Sequence, residues 1–163
     1  MKIAHVITDL DTGGAEMMLY KLLTSSQDDE MESLVISLMG RGVITERIEA
    51  LGIKVDTLDL KQGEGPSWKS IKELRRLMRT FNPDAVQGWM YHGNIAATVA
   101  VFLFDPMRRK VKLFWNVRQT LYDINSEKMQ TRWLIVLGRW LSFFPHSIIY
   151  NSNLSVEQHC NVG

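Results

Sequence analysis

The sequence predicts a doubly wound α/β fold, a mostly parallel sheet with helices on both faces. Three observations carry this expectation. Short β-rich runs alternate with longer helical runs about six times along the chain. The short runs read as continuous apolar stretches, as strands buried on both faces do. The chain has 163 residues, which suits one domain with a substantial core.

Taken in order, KIAHVIT (2–8) is a strand, and GAEMMLYKLLTSS (14–26) spaces Met17, Met18 and Leu22 as a helix does. SLVISL (33–38) is a strand. VITERIEAL (43–51) is a helix ended by Gly52, and IKVDTL (53–58) is a strand. A helix from Trp68 to Phe81 aligns Ile71, Leu74, Leu77 and Met78. Pro66 or Ser67 starts it and Asn82-Pro83 stops it. DAVQGW (84–89) is a strand, and 93–104 is an apolar helix. VKLFWNV (111–117) is a strand, 127–143 a helix, HSIIYN (146–151) a strand, and 152–160 the start of a last helix.

Composition excludes several classes. With 45% hydrophobic and 23% charged residues, the chain is globular rather than disordered. Its formal charge of +1 is unevenly spread: residues 1–60 hold 5 Lys+Arg against 11 Asp+Glu, and residues 61–163 hold 14 against 7. Two solvated faces of opposite sign are the simpler reading, and a basic side meeting phosphate or anionic lipid is the sharper one. A single cysteine, Cys160, rules out an internal disulfide and favours a reducing compartment. The first residues show no secretory pattern, and no apolar run reaches the ~18 residues of a membrane span. The expected location is cytoplasmic, with peripheral contact at the inner face of the cell membrane resting on the basic clusters. His5, His92, His146 and His159 are scattered, without C-x-x-C or H-E-x-x-H, so no metal is expected. Nothing points to nucleic acid as a partner.

In doubly wound folds, ligands collect beyond the carboxyl ends of the strands. After the first strand stand Asp9, Asp11, Gly13, Gly14 and Glu16. Gly14 would open a helix whose amides and dipole favour an anion. Alternatively, the pair serves a turn that needs positive φ, with Glu16 favouring the first helical turn. Neither G-x-G-x-x-G nor G-x-x-x-x-G-K-[ST] is present, which argues against ordinary dinucleotide and P-loop sites. A G-x-S-x-G elbow is also missing. After the fourth strand comes GWMYHGN, where Tyr91 and Asn94 flank His92. A histidine so placed suits acid/base or hydrogen-bonding work. After the fifth strand, Arg118 could hold a phosphate or a sugar hydroxyl, or pair with a neighbouring helix. Ser152 reads as a helix N-cap.

Two further features lie outside the strand ends. Arg75, Arg76 and Arg79 share one helix, and Arg108, Arg109, Lys110 and Lys112 precede the fifth strand. Solvated faces are the simpler reading of both clusters, and contact with anionic lipid or an acidic acceptor the alternative. Trp133 and Trp140 are seven residues apart and share a helix face. That spacing favours core packing over a membrane interface.

Four segments together resemble the N-terminal half of the retaining, two-domain GT-B glycosyltransferases of family 4. They are KIAHVITDLDTGGAE, VQGWMYHGN, FWNVRQT and IIYNSNLSVEQHCNVG, and they span nearly the whole chain in order. The resemblance implies that residues 1–163 form a Rossmann-like acceptor-binding domain, with a nucleotide-sugar-binding domain outside this chain. A sugar would pass, with retention, from a nucleotide-sugar co-substrate to a cell-envelope glycan or lipid-linked acceptor. It further implies that Gly13 and Gly14 approach the donor diphosphate and that His92 and Arg118 are catalytic. Glu16, Tyr91 and Asn94 would contact acceptor or donor. No tightly bound cofactor and no metal are implied, and the isolated domain would be inactive. Many relatives carry a histidine after the fifth strand, where this chain has Arg118.

Two other classes compete. A stand-alone binding or signalling module, such as a phospho-acceptor receiver, would use Asp9 and Asp11 with Asp56 or Asp59. A Rossmann oxidoreductase would need the glycine fingerprint that the chain lacks.

Overall fold

The computed structural model describes residues 1–26, 30–61, 63, 65–107, 110–119 and 129–162. Its elements run β1 (Lys2–Ile7), α1 (Gly14–Ser25), β2 (Glu32–Ser37), α2 (Val43–Glu49), β3 (Lys54–Thr57) and α3 (Trp68–Phe81). They continue β4 (Ala85–Trp89), α4 (Met90–Phe104), β5 (Lys112–Val117), α5 (Met129–Leu141), β6 (Ser147–Tyr150) and α6 (Asn153–Val162). All five strand pairings are parallel, in the order β3-β2-β1-β4-β5-β6. The predicted α/β class is therefore the observed one.

Alternation along each strand sends residues to two cores. On one face Ala4, Val6, Leu34, Ile36, Val86, Leu113 and Trp115 meet Leu74, Leu77 and Met78 of α3 and Ala97, Ala100 and Val101 of α4. On the other face Ile7, Val35, Val55 and Trp89 meet Ala15, Leu19 and Leu23 of α1 and Ile44 and Ile48 of α2. Helices change sides at β1 and β4, so a crevice opens between the carboxyl ends of these two strands. This order also removes the receiver reading. Such folds place β3 beside β1, whereas here β2 separates them and holds Asp56 away from Asp9. Asp56 is paired with Lys54 at 2.6 Å.

Most helix ends follow their predicted chemistry. The Ser67 hydroxyl caps α3, accepting from the Ser70 N–H at 3.1 Å, and Asn82 closes the helix in the left-handed region at φ 52°. Ser152 caps α6 in the same way, at 3.1 Å from the Ser155 N–H.

Helix α4 differs from expectation. It begins at Met90 rather than 93, directly after β4 and without a loop. Met90 takes φ 62°, which costs a side-chain-bearing residue about 1–2 kcal/mol. Two glycines permit the close packing that offsets this cost. A Cβ on Gly93 would lie 2.6 Å from the Val6 carbonyl oxygen, and one on Gly88 would lie 2.5 Å from Asn94 Cα.

Helix α5 brings a second correction. Trp133 and Trp140, expected in the core, are 70% and 71% exposed, and Ile135 is the residue of α5 that is buried among those described. Residues 127–128 of the expected helix lie outside the described residues.

Under the sheet, His5 is wholly buried and accepts from the Trp89 indole N–H at 3.4 Å. Burial lowers its pKa from 6.5 to about 4, against a raising hydrogen bond with Gln87. The native state thus holds His5 neutral while the unfolded chain protonates it near pH 6.5. Its contribution is complete above pH 6.5 and is lost as pH falls toward 4, by about 3 kcal/mol. Urea titrations at pH 7 and pH 4.5 should show this loss, and His5→Asn should flatten it.

Candidate functional site

Parallel strands bring their following segments to one edge. Ile7, Trp89 and Asn116 pair in one row, and Val117 pairs with Tyr150 one step beyond. The β1–α1 turn, the first turn of α4, Arg118 and the entry to α6 all leave that edge. Strand spacing places β1 about 10 Å from β5.

The β1–α1 turn is fixed from below. Leu10 is fully buried, and its carbonyl accepts from the Ile44 N–H at 2.9 Å. The Thr8 carbonyl accepts from the Met39 N–H at 2.9 Å. Gly42, at the start of α2, packs so closely on the Leu10–Asp11 backbone that no Cβ fits there. The Asp11 N–H donates to the Asp9 carboxylate at 3.2 Å.

Neither glycine of the turn is demanded by backbone conformation. Gly13 is extended, at φ −153° and ψ 175°, and Gly14 does not take positive φ. A Cβ on Gly14 would meet nothing within 4 Å. One on Gly13 would meet only the carboxylate of Glu16, the movable end of a flexible side chain. The positive-φ explanation of the pair therefore fails.

Glu16 folds back over the start of α1, its carboxylate beside Gly13, where the backbone amides of Ala15 and Glu16 favour its charged form. Burial, joined by the charges of Asp9 and Asp11, raises its pKa. The helix N-terminus thus already holds a carboxylate on amides suited to an anion.

The first turn of α4 splits its side chains between two clefts. A helix turns about 100° per residue, so Tyr91 and Asn94 share a face that His92 does not. Tyr91 and Asn94 line a cleft of about 340 Å³ bounded by α4, α5, α6 and the ends of β5 and β6. His92 stays solvent-accessible beside an apolar cleft of about 260 Å³ between α3 and α4. The surrounding protein lowers its pKa by desolvation. Ile95 and Leu134 line both clefts.

Asn94 is buried and its amide is engaged by β5. Its Oδ1 accepts from the Asn116 N–H at 3.2 Å, and its Nδ2 donates to the Asn116 carbonyl at 3.5 Å. This side chain continues the strand ladder past Trp89, where β4 itself has ended. Thr98 extends the brace, donating to the Asn94 carbonyl at 2.8 Å and accepting from Trp115 Nε1 at 3.0 Å.

A residue that the sequence did not single out sits at the mouth of the larger cleft. His159 Nδ1 lies 2.7 Å from the Ser155 carbonyl, which only accepts, so Nδ1 carries the proton in the neutral ring. His159 Nε2 then accepts from the Tyr91 hydroxyl at 2.8 Å. The Ser155 hydroxyl donates to the Gln119 carbonyl at 2.8 Å, tying α6 to the segment after β5. The ring of Tyr150 stands 5.3 Å from that of His159. Burial raises the pKa of Tyr150.

Arg118 follows β5 at intermediate exposure, and no ion pair to it occurs among the described residues. Thr120 lies outside the described residues, as do Arg108 and Arg109 of the second basic cluster. Arg75, Arg76 and Arg79 are exposed on α3, with Arg76 on Glu73 at 2.5 Å. No group of three or more His, Cys, Asp and Glu placed to hold a metal ion occurs among the described residues.

No protein-family profile matches the sequence, and no curated protein matches it either. Solved structures do match. HepE of Anabaena, crystallised with UDP and glucose, aligns over 100% of this chain and 41% of its own, at 17% identity and a TM-score of 0.73. MnaA of S. aureus, solved with UDP, aligns over 99% and 42%, at 15% identity and 0.66. The UDP-GlcNAc 2-epimerase of Methanocaldococcus jannaschii aligns over 100% and 43%, at 11% identity and 0.61. The chain therefore spans about two fifths of each of these proteins. These likenesses establish the fold, which is that of one half of a GT-B architecture.

Tyr91→Phe should remove the hydrogen bond to His159, at a cost of about 1 kcal/mol in stability. Long-range ¹H–¹⁵N spectra should then show the His159 Nε2 resonance moving to that of a free acceptor. An unchanged resonance would contradict the pairing.

Proposed function

We propose that this chain is the acceptor-side domain of a retaining GT-B glycosyltransferase, completed by a nucleotide-sugar-binding domain outside the sequence. The complete enzyme moves a sugar from a nucleotide-sugar to a cell-envelope glycan or lipid-linked acceptor. The observation that carries this reading is the Gly13-Gly14 turn. It is braced at the switch-point crevice, and nothing among the described residues requires glycine at position 14. An approaching ligand supplies the missing reason. Support also comes from HepE and MnaA, both solved with UDP on the same fold.

In this reading the donor diphosphate displaces the Glu16 carboxylate from the first amides of α1. The freed amides and the helix dipole then meet the charge that grows on the leaving diphosphate as the sugar becomes oxocarbenium-like. Arg118 adds a fixed cation from the β5 side of the same edge. This stabilisation is greatest in the transition state, so it raises turnover rather than substrate affinity. The cleft of Tyr91 and His159 takes the acceptor, and His92 contacts donor or acceptor from the other side of α4. Asn94 holds this arrangement through β5.

Epimerisation of a nucleotide-sugar is a second reading, favoured by the UDP-GlcNAc 2-epimerase match. Product formed without any acceptor would support it over transfer.

Gly14→Val in the full-length protein is the discriminating test. Its Cβ meets nothing within 4 Å among the described residues, so the melting temperature should hold. Donor kcat/KM should fall at least about a hundredfold, equivalent to about 2.7 kcal/mol. Unchanged kcat/KM would remove the diphosphate from this turn. The isolated chain should transfer no sugar, and the anomeric configuration of the full-length product should match that of the donor.

A further inference from the structure

Two phenols flank one imidazole in the cleft between α4, α5 and α6. The ring of Tyr91 lies 5.9 Å from that of His159, and the ring of Tyr150 lies 5.3 Å from it on the β6 side. All three side chains line the cleft, and each is partly buried. No Asp or Glu stands among the lining residues.

The two phenols carry opposite hydrogen-bonding duties. His159 Nδ1 keeps its proton on the Ser155 carbonyl at 2.7 Å, so Nε2 accepts. The Tyr91 hydroxyl, 2.8 Å away, therefore commits its one proton to Nε2. Toward a ligand Tyr91 offers oxygen lone pairs and no second proton. The Tyr150 hydroxyl has no hydrogen-bond partner among the described residues. Burial raises its pKa, so it keeps a proton to give.

An alcohol is the group that meets both demands at once. Its O–H donates to Tyr91, and its oxygen accepts from Tyr150. An ammonium only donates, and a carboxylate or phosphate only accepts, so each would leave one phenol unanswered. We infer that Tyr91 and Tyr150 together hold one hydroxyl of the acceptor, and that His159 is the positioning residue that fixes Tyr91 as the receiving side. This assignment of contacts rests on the acceptor-side reading of the cleft. A hydrogen bond received by Tyr91 polarises its own O–H and strengthens the bond to His159. His159 thus registers an occupant that it does not touch.

Long-range ¹H–¹⁵N spectra of the histidine-labelled chain, titrated with the methyl glycosides of glucose, galactose and mannose, test the inference. At least one glycoside should move the His159 Nε2 resonance saturably, away from the position of a free acceptor. Methylammonium and acetate should not. Tyr91→Phe and Tyr150→Phe should each weaken that glycoside about tenfold, read from the backbone amide shifts of α4. His159→Gln, whose amide oxygen can replace Nε2 as an acceptor, should keep most of the affinity. His159→Leu should lose as much as Tyr91→Phe, and Tyr91→Phe/His159→Leu should lose no more than either alone. A Tyr91–His159 bond that only holds the fold together would change the melting temperature of these variants and leave the affinity alone. An unmoved resonance with all three glycosides would overturn the inference. So would unchanged affinity in Tyr150→Phe or His159→Leu, or an equal response to methylammonium or acetate. No donor is present in this experiment, so its failure is separate from that of the Gly14→Val test, which reads the donor side.

Discussion

Helix α4 leaves the sheet without a connecting loop, and the arrangement of the carboxyl edge depends on that junction. Met90 makes the turn in a single residue, at φ 62°. Gly88 and Gly93 let the helix lie directly on β4 and β1. Asn94 then bonds the backbone of β5 on the far side. Three strands and one helix are thus locked at the row of Ile7, Trp89 and Asn116. Any side chain on the first turn of α4 inherits a position set to within the tolerance of a packed core.

The two sides of this edge are built on different physics. On the β1 side the chain offers backbone: amides at the start of α1, with two glycines that keep side chains out of the way. On the β5–β6 side it offers side chains, the phenols of Tyr91 and Tyr150 and the imidazole of His159. Backbone dipoles suit a fixed anion, while hydroxyl and imidazole groups suit hydrogen bonding to neutral polar groups. A single sheet edge can therefore present two chemistries a few strand spacings apart, because each strand delivers its own connection to the same level.

Much of the fold was legible in the sequence. The continuous apolar runs and the period-3.6 runs placed the strands and helices found among the described residues, α4 starting three residues early, since hydrophobic burial dominates in a sheet covered on both faces. Ser67, Asn82 and Ser152 marked helix ends because their side chains have local partners. Met90 could not be read, since left-handed geometry in methionine is maintained by tertiary contacts, here the contacts of Gly88 and Gly93. The same holds for the site. The Gly13-Gly14 turn was visible as a local motif, but the partnership of Tyr91 with His159 joins positions 68 residues apart. The stripe of Trp133 and Trp140 was legible as a face. Its direction was not, because a periodic pattern gives the same signal whether it meets a core or faces outward.

The two clefts flanking α4 share Ile95 and Leu134 as a common wall. A side chain that lines both clefts cannot move away from one without moving toward the other. Occupants of the two spaces are therefore in a lever relation across α4. Any coupling that Ile95 carried between them would be reciprocal, each occupant changing the affinity of the other by the same factor. A bulky occupant of the His92 side that pushed this wall would be felt at Tyr91 before any ligand arrived there.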